Sequence, residues 1–196
     1  MLNVEAARRK VPVMAHAHGA EGIQMSAEAG VRSIEHASFI DSGGIAACLE
    51  NNTWIVPTFA IWAYFNARGS DTGAQDRLIE IQKATNERYC TCIKNAVSAG
   101  VRVALGSDYV GFDDASFAVR EFEYLVDLGG MTPKQAIYTG TASSAELLKM
   151  NNLGKIHPGC IADIVVINGN PLENIDLLRK KLCFVMKQGK IVRNNV

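Results

Sequence analysis

Between residues 11 and 130 one pattern occurs four times: a short apolar run rich in β-branched residues, then a stretch with helical spacing. VPVMAH at 11–16 is followed by AEGIQMSAEAG, whose closing Gly30 suits a helix C-cap. VRSIEH at 31–36 is followed by SGGIAACLENN, which ends on residues that accept a left-handed turn. TWIVPTF at 53–59 precedes a long amphipathic region, residues 71–99, that stops at Gly100. VRVALGSD at 101–108 precedes SFAVREFEYLVDLGG. Strands separated by helices cannot pair as hairpins, so the pattern predicts parallel strands, right-handed crossovers and a buried sheet. The fold class is therefore α/β.

After residue 130 the rhythm changes. TPKQAIYTGTASSAELLKM reads as one or two helices, with Thr132 as the cap and Pro133 at the first helical position. GKIHPGCIADIVVING and CFVMKQGKIVRN are short strands separated by Gly and Pro turns, a pattern that predicts antiparallel pairing. The expectation is an α/β body over residues 1–150 and a small β unit over 151–196.

The chain has 196 residues, enough for one domain with a small appendage. It carries 20 basic and 20 acidic residues, and this zero formal charge argues against nucleic acid or an anionic membrane as partner. The densest basic stretches, Arg8-Arg9-Lys10 and Arg179-Lys180-Lys181, read as solvated helix ends. No apolar run approaches the roughly 18 residues that a membrane span requires. The amino terminus lacks the order of a signal peptide, and the five cysteines are an odd number in a mid-sized chain. These features predict a cytoplasmic, reduced protein whose cysteines, including Cys90 and Cys92, serve packing.

In parallel α/β folds reactive groups collect at the carboxyl ends of strands. Here those ends carry His16, His36, Pro57-Thr58 and Asp108. Neutral imidazoles and a carboxylate suit Zn²⁺ and similar divalent ions, and an open coordination position can activate water. A lone strand-end histidine is ordinarily a packing or surface group. Three of four consecutive units ending this way leave a metal site and the plainer reading both open. Glu35 is expected on the face opposite His36, and His157 in a surface turn. The aromatic residues Trp54, Phe59, Trp62, Tyr64 and Phe65 either pack the next helix or wall a pocket, and Arg68 is a candidate substrate contact. No G-x-S-x-G elbow and no glycine-rich phosphate loop is present, so serine hydrolysis and nucleotide binding lack candidates.

Three blocks together carry a resemblance: ARRKVPVMAHAHGAEGIQMSAEAGVRSIEHASFID, VRVALGSD and TASSAELLKMNNLGKIHPGCIADIVVINGNPLENI. They resemble the metal-dependent amidohydrolase superfamily, in its imidazolonepropionase-like and prolidase-like dipeptidase branch. The resemblance implies a hydrolase built on a TIM-like (β/α)₈ barrel, with a small β-sandwich made from both chain ends and one or two divalent metals, typically zinc. It assigns His16 as the fifth-strand metal ligand, His36 as the sixth-strand ligand, and Asp108 as the eighth-strand ligand and catalytic proton shuttle. His18 is placed beside the site as a substrate-binding or ligand-orienting residue, with a metal role still open. The segment around Asp163 corresponds to a structural strand of the sandwich.

The same resemblance sets the register. Asp108 falls on the last barrel strand, so VPVMAH, VRSIEH and TWIVPTF correspond to strands five, six and seven. The family's first-strand His-x-His pair and its fourth-strand bridging lysine or glutamate are expected upstream of Met1. The expectation is thus the carboxyl-terminal half of a barrel followed by part of a sandwich, poorly active alone and acting on a small amide or dipeptide. Its expected partner is a second copy or a complementary amino-terminal half. A degenerate half-barrel that binds metal or dimerises without catalysis is the alternative.

Overall fold

The computed structural model describes residues 2–69, 76–109 and 116–195, with 2–4, 65–69 and 76–83 described through their backbone alone. The first part alternates helix and strand as the periodicity requires. Helix α1 (Leu2–Arg8) leads to β1 (Met14–Ala17), α2 (Ala20–Glu28), β2 (Ser33–His36), α3 (Ser42–Glu50), β3 (Trp54–Val56), α4 (Phe59–Gly69) and α5 (Asp76–Ser98). The three strands lie side by side in sequence order and pair in parallel, with Met14 opposite Ser33 and Ser33 opposite Trp54. Asp41 caps α3 by accepting the Gly44 N–H at 2.9 Å.

Alternation along the strands divides the core. Ile34 and Ile55, both fully buried, face the helices and pack with Ile23 and Ala27 of α2, Cys48 of α3 and Ile93 of α5. Trp54 and Val56 point the other way, onto Ala104. Each fully buried aliphatic side chain contributes about 1.5–3 kcal/mol.

The fourth expected strand is reduced. Residues 101–105 run parallel to β3 but make only a single bridge, Ile55 to Val103. Two ladder bonds hold it: Ile55 N–H to the Arg102 carbonyl (2.9 Å) and Ala104 N–H to the Ile55 carbonyl (3.1 Å). On its other side the groups that would extend a ladder are taken by side chains. Ser143 Oγ donates to the Val103 carbonyl, and Leu105 N–H meets Ser144 Oγ at 3.2 Å. Ser143 ends a π-helical turn (Thr139–Ser143) that follows α8 (Pro133–Tyr138), and Ser144 opens α9 (Ser144–Leu147); the π turn is a distortion not expected from the sequence. The stretch after residue 115 is likewise broken, into α6 (Ser116–Val119) and α7 (Glu121–Asp127). Thr132 and Gln135 form a complete capping box at α8, with Pro133 in the first turn.

The carboxyl-terminal strands β4 (Ile164–Ile167), β5 (Leu182–Lys187) and β6 (Lys190–Asn194) form an antiparallel sheet, as the turn residues predict. Gln188 and Gly189, both at positive φ (50° and 76°), make the two-residue turn between β5 and β6. Helix α10 (Leu177–Lys180) ties this unit to the body. Arg179 grips Glu123 of α7 with both arms, at 2.7 and 3.2 Å. Val165, Val166, Ile191 and Val192 of the small sheet are exposed. No described helix is long and apolar enough to cross a membrane.

A candidate metal centre at the strand ends

His16 lies near the end of β1, His18 one residue beyond the strand, and His36 ends β2. Parallel pairing sets Ala17 opposite His36 and His16 opposite Glu35, so regular pleating alone would not join the two rings. The backbone at His36 departs from the pleat. Its φ is 71°, and the Ala37 N–H bonds back to the Glu35 carbonyl at 3.0 Å, which closes a γ-turn of the rare strained kind. Ala37 (φ 48°) continues the left-handed stretch, and Asp108 also sits at positive φ (51°). Such strain costs about 1–3 kcal/mol per residue and concentrates at functional sites.

The result is a compact cluster. His36 Nε2 meets His16 Nδ1 at 3.0 Å, and the three ring centroids lie 4.4–4.7 Å apart. One nitrogen from each of His16, His18 and His36 falls within 4.8 Å of the others. The second nitrogens of His36 and His18 have their own partners. His36 Nδ1 meets Thr58 Oγ1 at 2.6 Å, and His18 Nδ1 meets Ser38 Oγ at 2.8 Å. Hydroxyls at Nδ1 orient the two rings, and where they accept from Nδ1–H they leave Nε2 free to face inward, as ligand-orienting groups do.

Burial favours the neutral imidazoles that a metal requires. It pushes the His36 pKa down to about 4, helped by the nearby His18 and His16 and opposed by Asp108. Burial followed by His16 also lowers His18, again against Asp108. His36 is only 7% exposed, whereas His16 and His18 open toward solvent. Three ring nitrogens within 4.8 Å of one another, with the His18 and His36 rings held from behind by hydroxyls, fit a divalent ion.

Asp108 lines the same cavity of about 430 Å³ as the three histidines, but its carboxylate stands outside the 4.8 Å set. Phe39, Ile61 and Trp62 form the apolar wall of that cavity. Trp62 therefore serves both roles considered for the aromatic group, packing on Tyr89 and facing the cavity; Trp54 and Phe59 are core. The side chains of Phe65 and Arg68 lie outside the described residues. Glu35 lines a neighbouring cavity with Met14, Val56 and Leu105, and accepts from Ser33 Oγ at 2.7 Å. Burial raises its pKa. His157 is exposed and bonded to the Pro158 carbonyl.

Two contributors escaped the sequence reading. Ser38 follows His36 by two residues but has no motif of its own. Glu121 is fully buried, and a signal for it exists: Phe117, Glu121 and Leu125 are spaced four apart on one helical stripe, so an acid interrupts an apolar face.

Residues 1–192 match the amidohydrolase family, and the chain belongs to it. It is 30% identical to ochratoxinase of Aspergillus niger over 193 residues, covering 96% of this chain and 39% of that protein. It is 28% identical to imidazolonepropionase of Nocardia farcinica over 159 residues, 77% of this chain and 33% of that protein. Among solved structures it resembles a Xaa-Pro dipeptidase with methionine bound in its active site, with TM-score 0.84 and 31% identity over 97% of this chain. It also resembles A. niger ochratoxinase, with TM-score 0.85 and 29% identity over 98% of this chain. The chain spans less than half of each of these relatives, 47% and 44% of the two solved chains. What the comparisons establish is a hydrolase-family α/β chain corresponding to part of its relatives.

Proposed function

We propose that the chain is the carboxyl-terminal portion of a metal-dependent hydrolase that cleaves a carbon–nitrogen bond in a small amide, of which a dipeptide is the leading type. In this reading residues 1–150 supply strands five to eight of a (β/α)₈ barrel, and 151–196 supply part of a composite β-sandwich. The exposed apolar residues of β4 and β6, which lie on both faces of the small sheet, are then surface that further strands cover, from a complementary amino-terminal half or a second copy. The cytoplasm is the compartment this reading favours. The observation that carries the proposal is the convergence of His16, His18 and His36 within 4.8 Å in a cavity that Asp108 also lines.

His16 and His36 would hold the divalent metal, most suitably zinc, and Asp108, which lines the same cavity, would be a further ligand. His18 either completes the set or orients substrate. A metal held there would supply polarisation of the amide carbonyl and a lowered pKa for the attacking water. Thr58 and Ser38, by accepting from Nδ1–H of His36 and His18, hold those rings with Nε2 free of a proton. Asp108 takes a proton from the attacking water and delivers it to the departing nitrogen, for which its exposed position at the cavity rim leaves room. Phe39, Ile61 and Trp62 shield the cavity from water on one side, which strengthens the electrostatics inside.

The test is amine release from a panel of dipeptides and N-acyl amino acids. It is run with zinc-loaded chain, alone and co-expressed with the amino-terminal half of A. niger ochratoxinase. Slow release by the chain alone, faster release by the pair, and loss of both with EDTA or Asp108→Asn are expected. Release that survives either treatment, or metal binding without release in any arm, contradicts the proposal.

A further inference from the structure

Glu121 of α7 is a carboxylate that the proposed chemistry does not use. It is 0% exposed and has no cation partner among the described residues. Burying an uncompensated acid is costly, so its surroundings must hold it for a reason. Its two oxygens accept the first N–H groups of α4, Phe59 to Oε1 at 3.1 Å and Ala60 to Oε2 at 2.7 Å. Burial pushes its pKa up to about 8 against the pull of those two bonds. An acid at this place also meets the positive end of the helix dipole.

The residue preceding α4 is Thr58, a type that ordinarily caps its own helix by accepting an N–H of the first turn. Here its hydroxyl lies instead against His36 Nδ1 at 2.6 Å, while its N–H donates to the Tyr89 hydroxyl at 3.2 Å. Two first-turn amides of α4 are thus met from another helix, and the Thr58 hydroxyl lies between His36 Nδ1 and the Tyr89 hydroxyl.

We propose that Glu121 is a positioning residue: by capping α4 in place of Thr58, it frees the Thr58 hydroxyl to hold His36 in the metal-binding tautomer. Without Glu121, Thr58 turns back to its own helix and His36 Nδ1 loses its acceptor. The inference rests on His36 acting as a ligand, but its first consequence, the tautomer, is read with no metal present.

The experiment uses the metal-free 196-residue chain as wild type, Glu121→Gln, Thr58→Val and the double variant. Two-bond ¹⁵N–¹H NMR reports the His36 tautomer, with the His36 signals assigned by their absence in His36→Gln. Co²⁺ affinity is then measured by chelator competition. Wild type should show the Nδ1–H form. Glu121→Gln should shift His36 toward the Nε2–H form and weaken Co²⁺ binding about tenfold, the low end for losing a ligand-orienting contact. In the Thr58→Val background Glu121→Gln should add nothing to either readout. Additive effects in the double variant, or a destabilised Glu121→Gln chain with unchanged tautomer and affinity, overturn the proposal. If Glu121→Gln does not fold, Glu121→Asp, which draws the acceptors back by one methylene, is read by the same criteria. A wild type that shows the Nδ1–H form yet binds no Co²⁺ overturns the metal centre and leaves the cap-to-tautomer link standing on the NMR result.

Discussion

Acid should weaken the metal-free fold through His36, and the size of the effect follows from its surroundings. Burial and the two neighbouring histidines hold its pKa at about 4 in the folded chain. In the unfolded chain an imidazole titrates near its ordinary value, about 6.5. Between these values the unfolded state binds one proton more than the folded state. Stability therefore rises with pH by about 1.4 kcal/mol per pH unit across the window, and is lost as pH falls through it. From pH 6.5 to 4.5 the limit is ~2.7 kcal/mol. His16 and His18 face solvent, which screens their repulsion, so about 1.5 kcal/mol is the expected share of His36. Glu121 and Glu35, whose pKa values are raised, act in the opposite direction, gaining stability for the fold as pH falls. A comparison with His36→Gln cancels these contributions. The assay is urea unfolding followed by tryptophan fluorescence in EDTA, at pH 7.5 and 4.5, for both proteins. The wild type should lose about 1.5 kcal/mol more than His36→Gln between the two pH values. Equal losses, within ~0.5 kcal/mol, would refute the claim that the strained turn at His36 buries its ring among neighbouring histidines.

Further predictions concern the scaffold. Gly154 sits at φ 74°, and a Cβ there would lie 2.5 Å from the Thr141 carbonyl oxygen. Gly154→Ala should therefore cost at least about 2 kcal/mol by the same urea assay, since neither the backbone conformation nor the collision can be relieved by a side chain. Arg179→Ala removes a two-armed, half-buried contact with Glu123, the link between the small sheet and the body. It should destabilise by about 1–2 kcal/mol and speed amide exchange in β4–β6 more than in β1–β3. Uniform exchange changes would show that the pair does not anchor the sheet.

Much of this architecture was legible in the sequence because strand and helix periods leave marks that burial enforces. The parallel runs ending in His16 and His36, the antiparallel unit with its Gln188-Gly189 turn, and the Thr132 cap all arise from local chemistry. The losses have equally local causes. Residues 101–105 read as a full strand, but Ser143 and Ser144 reach in from the junction of a π-helical turn with α9 and take the groups a ladder would need. Nothing in the spacing of TGTAS announces that turn. The histidines were legible as strand-end residues, but the γ-turn that brings His36 to His16 was not, because positive φ at a non-glycine residue is imposed by tertiary contacts. The separation between Asp108 and the tight histidine set was likewise invisible, since alternation gives a side chain's face and not its reach. Glu121 was missed because a single acid on an apolar helical stripe reads as noise until its two amide partners, from residues 59 and 60, are seen.

The central claim is that His16, His18 and His36 converge to hold a divalent metal. Titration of the metal-free chain with Co²⁺, followed by its visible d–d absorption, tests it most directly. One equivalent of Co²⁺ giving the intense bands of a low-coordinate nitrogen-rich site is predicted, with the bands lost in His36→Ala and weakened in His16→Ala. An absence of bands at millimolar Co²⁺, or bands that survive both substitutions, would contradict it.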